Sequence, residues 1–230
     1  MTTYRQLIYI VLDELKISTD DSYFTEDHIA FLLNKYRSLL LKQLYKDVKK
    51  EIPESNFQTI CLDLKEVPAI PEIPCEGGSY LRSTEKIPNM MTIAKPKLNT
   101  EDQFQTDITL VSKDRFKYVG NNKWLQNIIY STLGSDNYLY LKSSNPQYLY
   151  LEKVQMSGVF EDPEQATELR CDKDEVCDPW DSNFPLEEGL IPQLIKLIIQ
   201  DLAGVRIIPE DKDNDSNDSS TTQQKVVKNG

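Results

Sequence analysis

The feature that most constrains this chain is a change of hydrophobic period, helical at both ends and strand-like in the middle. Leu7, Ile8, Val11, Leu12 and Leu15 recur at helical spacing, and Thr3 followed by Gln6 makes a capping-box pattern just before them. A second helix opens near Thr25, where Glu26 and Asp27 suit the positive end of the helix dipole, and is expected to run to about Lys49 before Pro53. Its stripe is Ile29, Leu32, Leu33, Tyr36, Leu40, Gln43, Leu44 and Val48. After Pro53 the period drops to two: Ile60, Leu62 and Leu64 alternate with Thr59, Cys61, Asp63 and Lys65, the pattern of a half-buried strand. Between Trp124 and Phe160, turn signals at Gly134–Asn137 and Ser143–Pro146 separate Ile128–Tyr130, Tyr138–Lys142 and Tyr148–Met156, which predicts a three-stranded antiparallel meander. The helical period returns after Pro192 with Leu194, Ile195, Leu197, Ile198, Ile199 and Leu202, a helix apolar on most sides and therefore expected to be buried between the first two.

The predicted class is α+β: a helical bundle of two N-terminal helices and a late buried helix, with an inserted antiparallel β region and an extended C-terminal tail. The expected divisions are a helical hairpin over 1–52, a β-rich insertion over 53–160, an acidic loop over 161–184, the bundle helix over 185–208 and a partner-binding tail over 209–230. Within the insertion, Pro68, Pro71 and Pro74 at every third position favour an extended strap or surface connection. Tyr138, Tyr140, Tyr148 and Tyr150 are expected on one face of the meander, either meeting a partner or packing under another part of the chain.

Charge is unevenly placed along the 230 residues. The net value is −11, and residues 161–188 alone hold eleven carboxylates against Arg170 and Lys173. Lys35, Arg37, Lys42, Lys46, Lys49 and Lys50, with only Asp47 against them, make the end of the second helix basic. One acidic and one basic surface allow association with copies of the same chain, although both also read as solvated faces. The tail has no apolar side chain between Asp211 and Gln224, so hydrophobic contact cannot offset its ordering entropy and only a partner would hold it. Its apolar anchors are Ile207, Ile208, Val226 and Val227. The first residues lack the marks of a signal peptide and no apolar run approaches a membrane span, which predicts a soluble protein made in the cytoplasm.

Residues that carry chemistry are sparse. His28 is the only histidine and sits in the first turn of a helix, which suits capping or the surface better than catalysis. No glycine-rich phosphate loop is present. Cys61, Cys75, Cys171 and Cys177 contain no Cys-x-x-Cys pair, so zinc is disfavoured, reduced thiols are the expectation and a disulfide framework is unsupported. Glu54, Asp63 and Lys65 weakly resemble the acidic set of Mg²⁺ nucleases, but strand alternation already accounts for Asp63 and Lys65 as outward positions. No catalytic residue, metal or cofactor is assigned.

The order of elements, the late segment Pro-Leu-Glu-Glu-Gly-Leu-Ile-Pro-Gln-Leu-Ile-Lys-Leu-Ile-Ile-Gln-Asp-Leu and the polar tail resemble the adaptor, or ring, proteins of tailed phages, most closely those of crAss-like phages. The resemblance is carried by Thr3–Lys49, Trp124–Phe160 and Pro185–Ile208. It implies a structural subunit of the virion neck or tail, forming a homo-oligomeric ring, usually of twelve copies, docked beneath the portal protein and above other tail ring proteins. Double-stranded DNA would pass through the channel without sequence-specific binding, helped by a negative wall that repels phosphate. The tail would reach into the portal. A soluble regulatory or chaperone-like protein-binding module is the alternative.

Overall fold

The computed structural model describes residues 2–18, 24–46, 50–68, 79–100, 107–171 and 178–204. The first helix, α1 (Tyr4–Ser18), starts at the capping box read from the sequence. The Thr3 amide donates to Gln6 Oε1 at 3.0 Å, and the Gln6 amide donates back to Thr3 Oγ1 at 3.3 Å. In α2 (Glu26–Leu44), Thr25 Oγ1 accepts from the His28 amide at 3.3 Å, with Glu26 and Asp27 in the first turn and Lys42 in the last. This helix ends five residues before the expected Lys49. Tyr45 leaves the helical region (φ −107°, ψ 26°), and its hydroxyl reaches Glu187 at 3.4 Å.

The late helix, α5 (Ile191–Gly204), packs on both α1 and α2, which also touch each other. Leu7, Ile8, Val11, Leu33, Leu40, Leu194 and Ile198 fill the space between them, closed from below by Met91, Val159, Phe184 and Leu186. The late helix is not buried on all sides, as its apolar content suggested: Pro192, Gln193, Lys196 and Gln200 are exposed, and Leu197 and Ile199 are only half covered. One buried face suffices because its neighbours lie on one side.

Seven strands form one sheet in the order β3-β7-β1-β2-β6-β5-β4. They are β1 (Gln58–Val67), β2 (Tyr80–Ser83), β3 (Lys97–Thr100), β4 (Asp107–Leu110), β5 (Ile128–Leu133), β6 (Leu139–Lys142) and β7 (Lys153–Gly158). All pairs are antiparallel except β4 with β5. The sheet curls until its two edge strands, β3 and β4, lie beside each other. Its inner face is a second core: Ile60 and Leu62 of β1 meet Leu98, Ile129, Leu139, Leu141, Val154 and Met156, while Thr59, Asp63 and Lys65 of β1 are exposed as the alternation requires.

Two strands of the expected meander are present: β5 and β6 pair from Leu133–Leu139 to Tyr130–Lys142 around a turn in which Asn137 takes φ 64°. The third strand does not follow. Pro146 has no amide to give a ladder and Asn145 Oδ1 caps the Gln147 amide at 3.0 Å, so residues 146–150 form a 3₁₀ turn. The strand proper begins at Lys153, on the far side of the sheet, between β1 and β3. The tyrosines divide accordingly. Tyr140 is buried with Tyr80 and Phe116 in a third, small core, Tyr148 is buried and donates to the Ser79 carbonyl, and only Tyr150 is largely exposed.

The cysteine expectation is corrected as well. Cys61 of β1 and Cys171 form a disulfide, with their Cα atoms 4.9 Å apart across a sequence separation of 110. The short helix α4 (Pro163–Glu168) lies along β1 and delivers Cys171 to the strand, a proximity that spacing in sequence could not signal.

Candidate assembly surfaces

The expected anchors Ile207, Ile208, Val226 and Val227 lie outside the described residues, as do Cys75, Cys177 and most of the proline strap. What is described is the root of the tail. There Leu202 is buried against the helical core, and Asp201 lies 3.8 Å from Lys35 of α2.

The acidic stretch is not a plain loop. Asp162 caps α4 by accepting from the amides of Glu164 and Gln165 at 3.1 and 3.4 Å. Arg5 of α1 clasps the 3₁₀ turn of residues 179–181, its Nε donating to Asp181 at 2.6 Å and its other arm to Asp178. Those carboxylates hold the Arg5 guanidinium well above its ordinary pKa. Trp180 Nε1 donates to Glu164 at 3.1 Å, and Lys42 meets Glu161 at 2.9 Å. Desolvation raises the Glu164 carboxyl, with Asp162, Glu168 and Asp27 adding repulsion against the opposing hydrogen bond from Trp180. Carboxylates of α2, of α4 and of its cap thus act on Glu164 together.

Arg37 is the residue that sequence reading misplaced. It was counted with the basic end of α2 but is fully buried. Its Nε donates to the Pro185 carbonyl at 2.7 Å, Nη1 to Phe160 at 2.8 Å and Nη2 to Asn56 at 3.2 Å. One guanidinium thus ties α2 to the entry of β1, the exit of β7 and the approach to α5. Desolvation pushes it down to about 10. The signal was available: Arg37 follows Leu33 by four residues and precedes Leu41 by four, on the buried stripe.

The nuclease-like set does not converge. Glu54 lies 3.8 Å from Lys97 and Asp63 lies 4.0 Å from Lys153, each on its own exposed surface, and Lys65 is exposed beyond them. His28 stacks on Phe24, ring centres 5.9 Å apart. Among the described residues no helix is long and apolar enough to cross a membrane.

Two exposed surfaces went unnoticed in the sequence. One is the tip formed by α3 (Lys113–Phe116) and the 3₁₀ turn of residues 123–125, which carries Tyr118 at 74% and Trp124 at 82% exposure. The other is a recess of about 370 Å³ on α2 and α4, lined by Phe31, Asn34, Lys35, Ser38, Glu161 and Asp162 among others.

Arg37 ties the helices to the sheet, and Phe31, Tyr118, Trp124 and Tyr150 remain exposed. Residues 6–224 match the family described as phage tail ring protein 2, and the chain belongs to that family. It is 53% identical over 218 residues to Ring protein 2 of Bacteroides phage crAss001, covering 94% of this chain and 97% of that protein. The family supports a structural role in a phage tail ring and a place in the virion.

Proposed function

We propose that this protein is a homo-oligomeric ring subunit that docks under the portal and joins capsid to tail around the DNA path. The observation that carries this reading is the family match, which runs through both cores and the root of the tail rather than through one module. The α+β body supplies rigid elements, and the polar segment beyond α5 supplies a reach that has no core of its own to join. Ile207, Ile208, Val226 and Val227 act as its apolar anchors on the portal. Folding such a segment on binding costs several kcal/mol, which many simultaneous copies in a ring offset. A net charge of −11 per copy surrounds duplex DNA with like charge, so the genome slides instead of adhering.

The test is the mass of the purified protein by light scattering, alone and mixed with its portal, with and without residues 210–230. A large ring, or a portal complex that is lost with the tail, is the expected result. A monomer indifferent to portal and tail alike overturns the reading.

A further inference from the structure

The tip at residues 113–125 is unlike the rest of the molecule. In a chain of net charge −11 it carries Lys113, Arg115, Lys117 and Lys123 against Asp114 alone. Tyr118 and Trp124 stand almost fully in solvent, with Lys117 Nζ 4.8 Å and Lys123 Nζ 5.2 Å from the centres of those rings. Each ring with its lysine presents an apolar plate edged by positive charge. The exposed recess is of mixed charge with a negative surplus: Lys35 lines it and Lys42 meets Glu161, while Glu161 and Asp162 of its lining are joined by Glu164 and Glu168 of α4 and Asp27 of α2. Phe31 is 62% exposed beside Glu161 and Asp162, and Asp27 stands one helical turn before it on α2.

The two surfaces also sit in places that suit a chain of copies. The tip is carried by α3 against β5, and the recess is flanked by α4 against β1. In the sheet order these strands are three apart, so the two surfaces are separate patches of one chain. A contact between two different patches is head-to-tail, and it generates a ring when the rotation between copies closes.

We propose that the tip of one copy docks on the Phe31 recess of the next, with Trp124 and Tyr118 covering Phe31 and with Lys117 and Lys123 facing the carboxylates of α2 and α4. The occupant is a second copy of this chain because the charges and the apolar surfaces both match within the one sequence. Two aromatic side chains do not make a whole interface, which needs roughly 1,200 Å² or more, so the tip is the anchor of a wider contact. This proposal rests on the ring reading above.

The test uses the full chain in two charge-reversed forms, Lys117→Glu/Lys123→Glu on the tip and Asp27→Lys/Glu168→Lys at the recess. All four positions are exposed; Asp27→Lys also places a cation at the N-terminus of α2, so far-UV circular dichroism accompanies each form to show that it folds. Self-association is read by analytical ultracentrifugation. Each form alone sets like charges together and is expected to associate at least about thirtyfold more weakly than the unaltered chain. Mixed in equal amounts they restore opposite charges at every contact and are expected to assemble again. If either form assembles normally by itself, or if both fail and the mixture is not rescued, the proposal is overturned while the ring reading stands. Rings that form normally from the tip variant but are no longer retained on duplex DNA assign the tip to nucleic acid and also overturn it. If the unaltered chain stays monomeric alone and with its portal, the ring reading falls and takes the proposal with it.

Discussion

Replacing Arg37 by methionine tests what holds the helices to the sheet. Methionine keeps most of the volume of the side chain and removes every donor. The carbonyls of Pro185, Phe160 and Asn56 are then left without the guanidinium that serves them at 2.7, 2.8 and 3.2 Å. A buried acceptor deprived of its donor costs about 1–3 kcal/mol, so three cost roughly 6 kcal/mol. Against this, the variant no longer keeps a cation out of water. That penalty is visible in the fall of the guanidinium from its ordinary value to about 10 and is worth about 3 kcal/mol. The net expectation is a loss of about 3 kcal/mol, or about 6–12 °C in Tm for a chain of this size. Urea unfolding at neutral pH, followed by tryptophan fluorescence and run dilute enough to keep the chain monomeric, measures it. Arg37→Lys serves as control, since a single ammonium cannot span three carbonyls and should lose much of the same energy. A change below about 0.5 kcal/mol for Arg37→Met would refute the reasoning, because surface substitutions without a structural role fall in that range.

Further outcomes follow from other contacts. Reduction of the Cys61–Cys171 bond, or Cys61→Ser, should lower the urea midpoint by the equivalent of about 2–4 kcal/mol, since a long closed loop is released; an unchanged midpoint with and without reductant counts against it. Tyr140 and Tyr148 are pushed up to about 12 by burial first, with Asp136 adding at Tyr140 and with Tyr80 and Glu66 adding at Tyr148. The folded chain therefore keeps protons that the unfolded chain releases near pH 10, so their contribution is intact below about 10 and is lost as pH rises through about 12. Tyr140→Phe/Tyr148→Phe should flatten that alkaline decline, and an unaltered decline contradicts the assignment. Arg5→Ala should lower the urea midpoint only slightly, because Arg5 and its partners Asp178 and Asp181 are solvent-accessible, and the effect should shrink further in high salt; a large loss of stability that salt does not reduce would contradict this.

Much of the helical part was legible because its signals are local. Thr3 with Gln6, Thr25 with Glu26 and Asp27, and Pro192 all mark boundaries within one turn of where they act, and the stripe of α1 is the stripe it buries. The alternation of β1 was legible for the same reason. The short strands β2, β3 and β4, at four residues each, are too brief for a period to show. Pro146 was read as part of a turn between strands, yet its missing amide and the cap from Asn145 turn the following residues into a 3₁₀ turn. The disulfide, the Arg5 clasp and two of the three Arg37 bonds join residues more than one hundred positions apart, and no spacing rule reaches those partners. The tip was missed because nothing in the sequence distinguishes the exposed aromatics Tyr118 and Trp124 from buried ones; only burial separates the two cases.

The acidic stretch shows how a charge surplus is both structural and electrostatic. Asp178 and Asp181 hold Arg5, Glu161 holds Lys42, Glu164 takes the Trp180 indole and Asp162 caps α4, so half of the run is engaged in fixing local structure. Engagement of this kind does not erase the charge seen from a distance. A cap or an indole neutralises nothing, and Arg5 and Lys42 offset two carboxylates out of eleven. At physiological salt the field of exposed charges reaches about 8 Å, so what a passing phosphate would feel is the sum over that radius and not the pairing of any one group. Removing a single carboxylate from this region should therefore disturb local folding where it is a cap or a clasp, while leaving any repulsion of DNA almost unchanged. Only a change of several charges at once, kept away from Asp162, Asp178 and Asp181, separates the two roles.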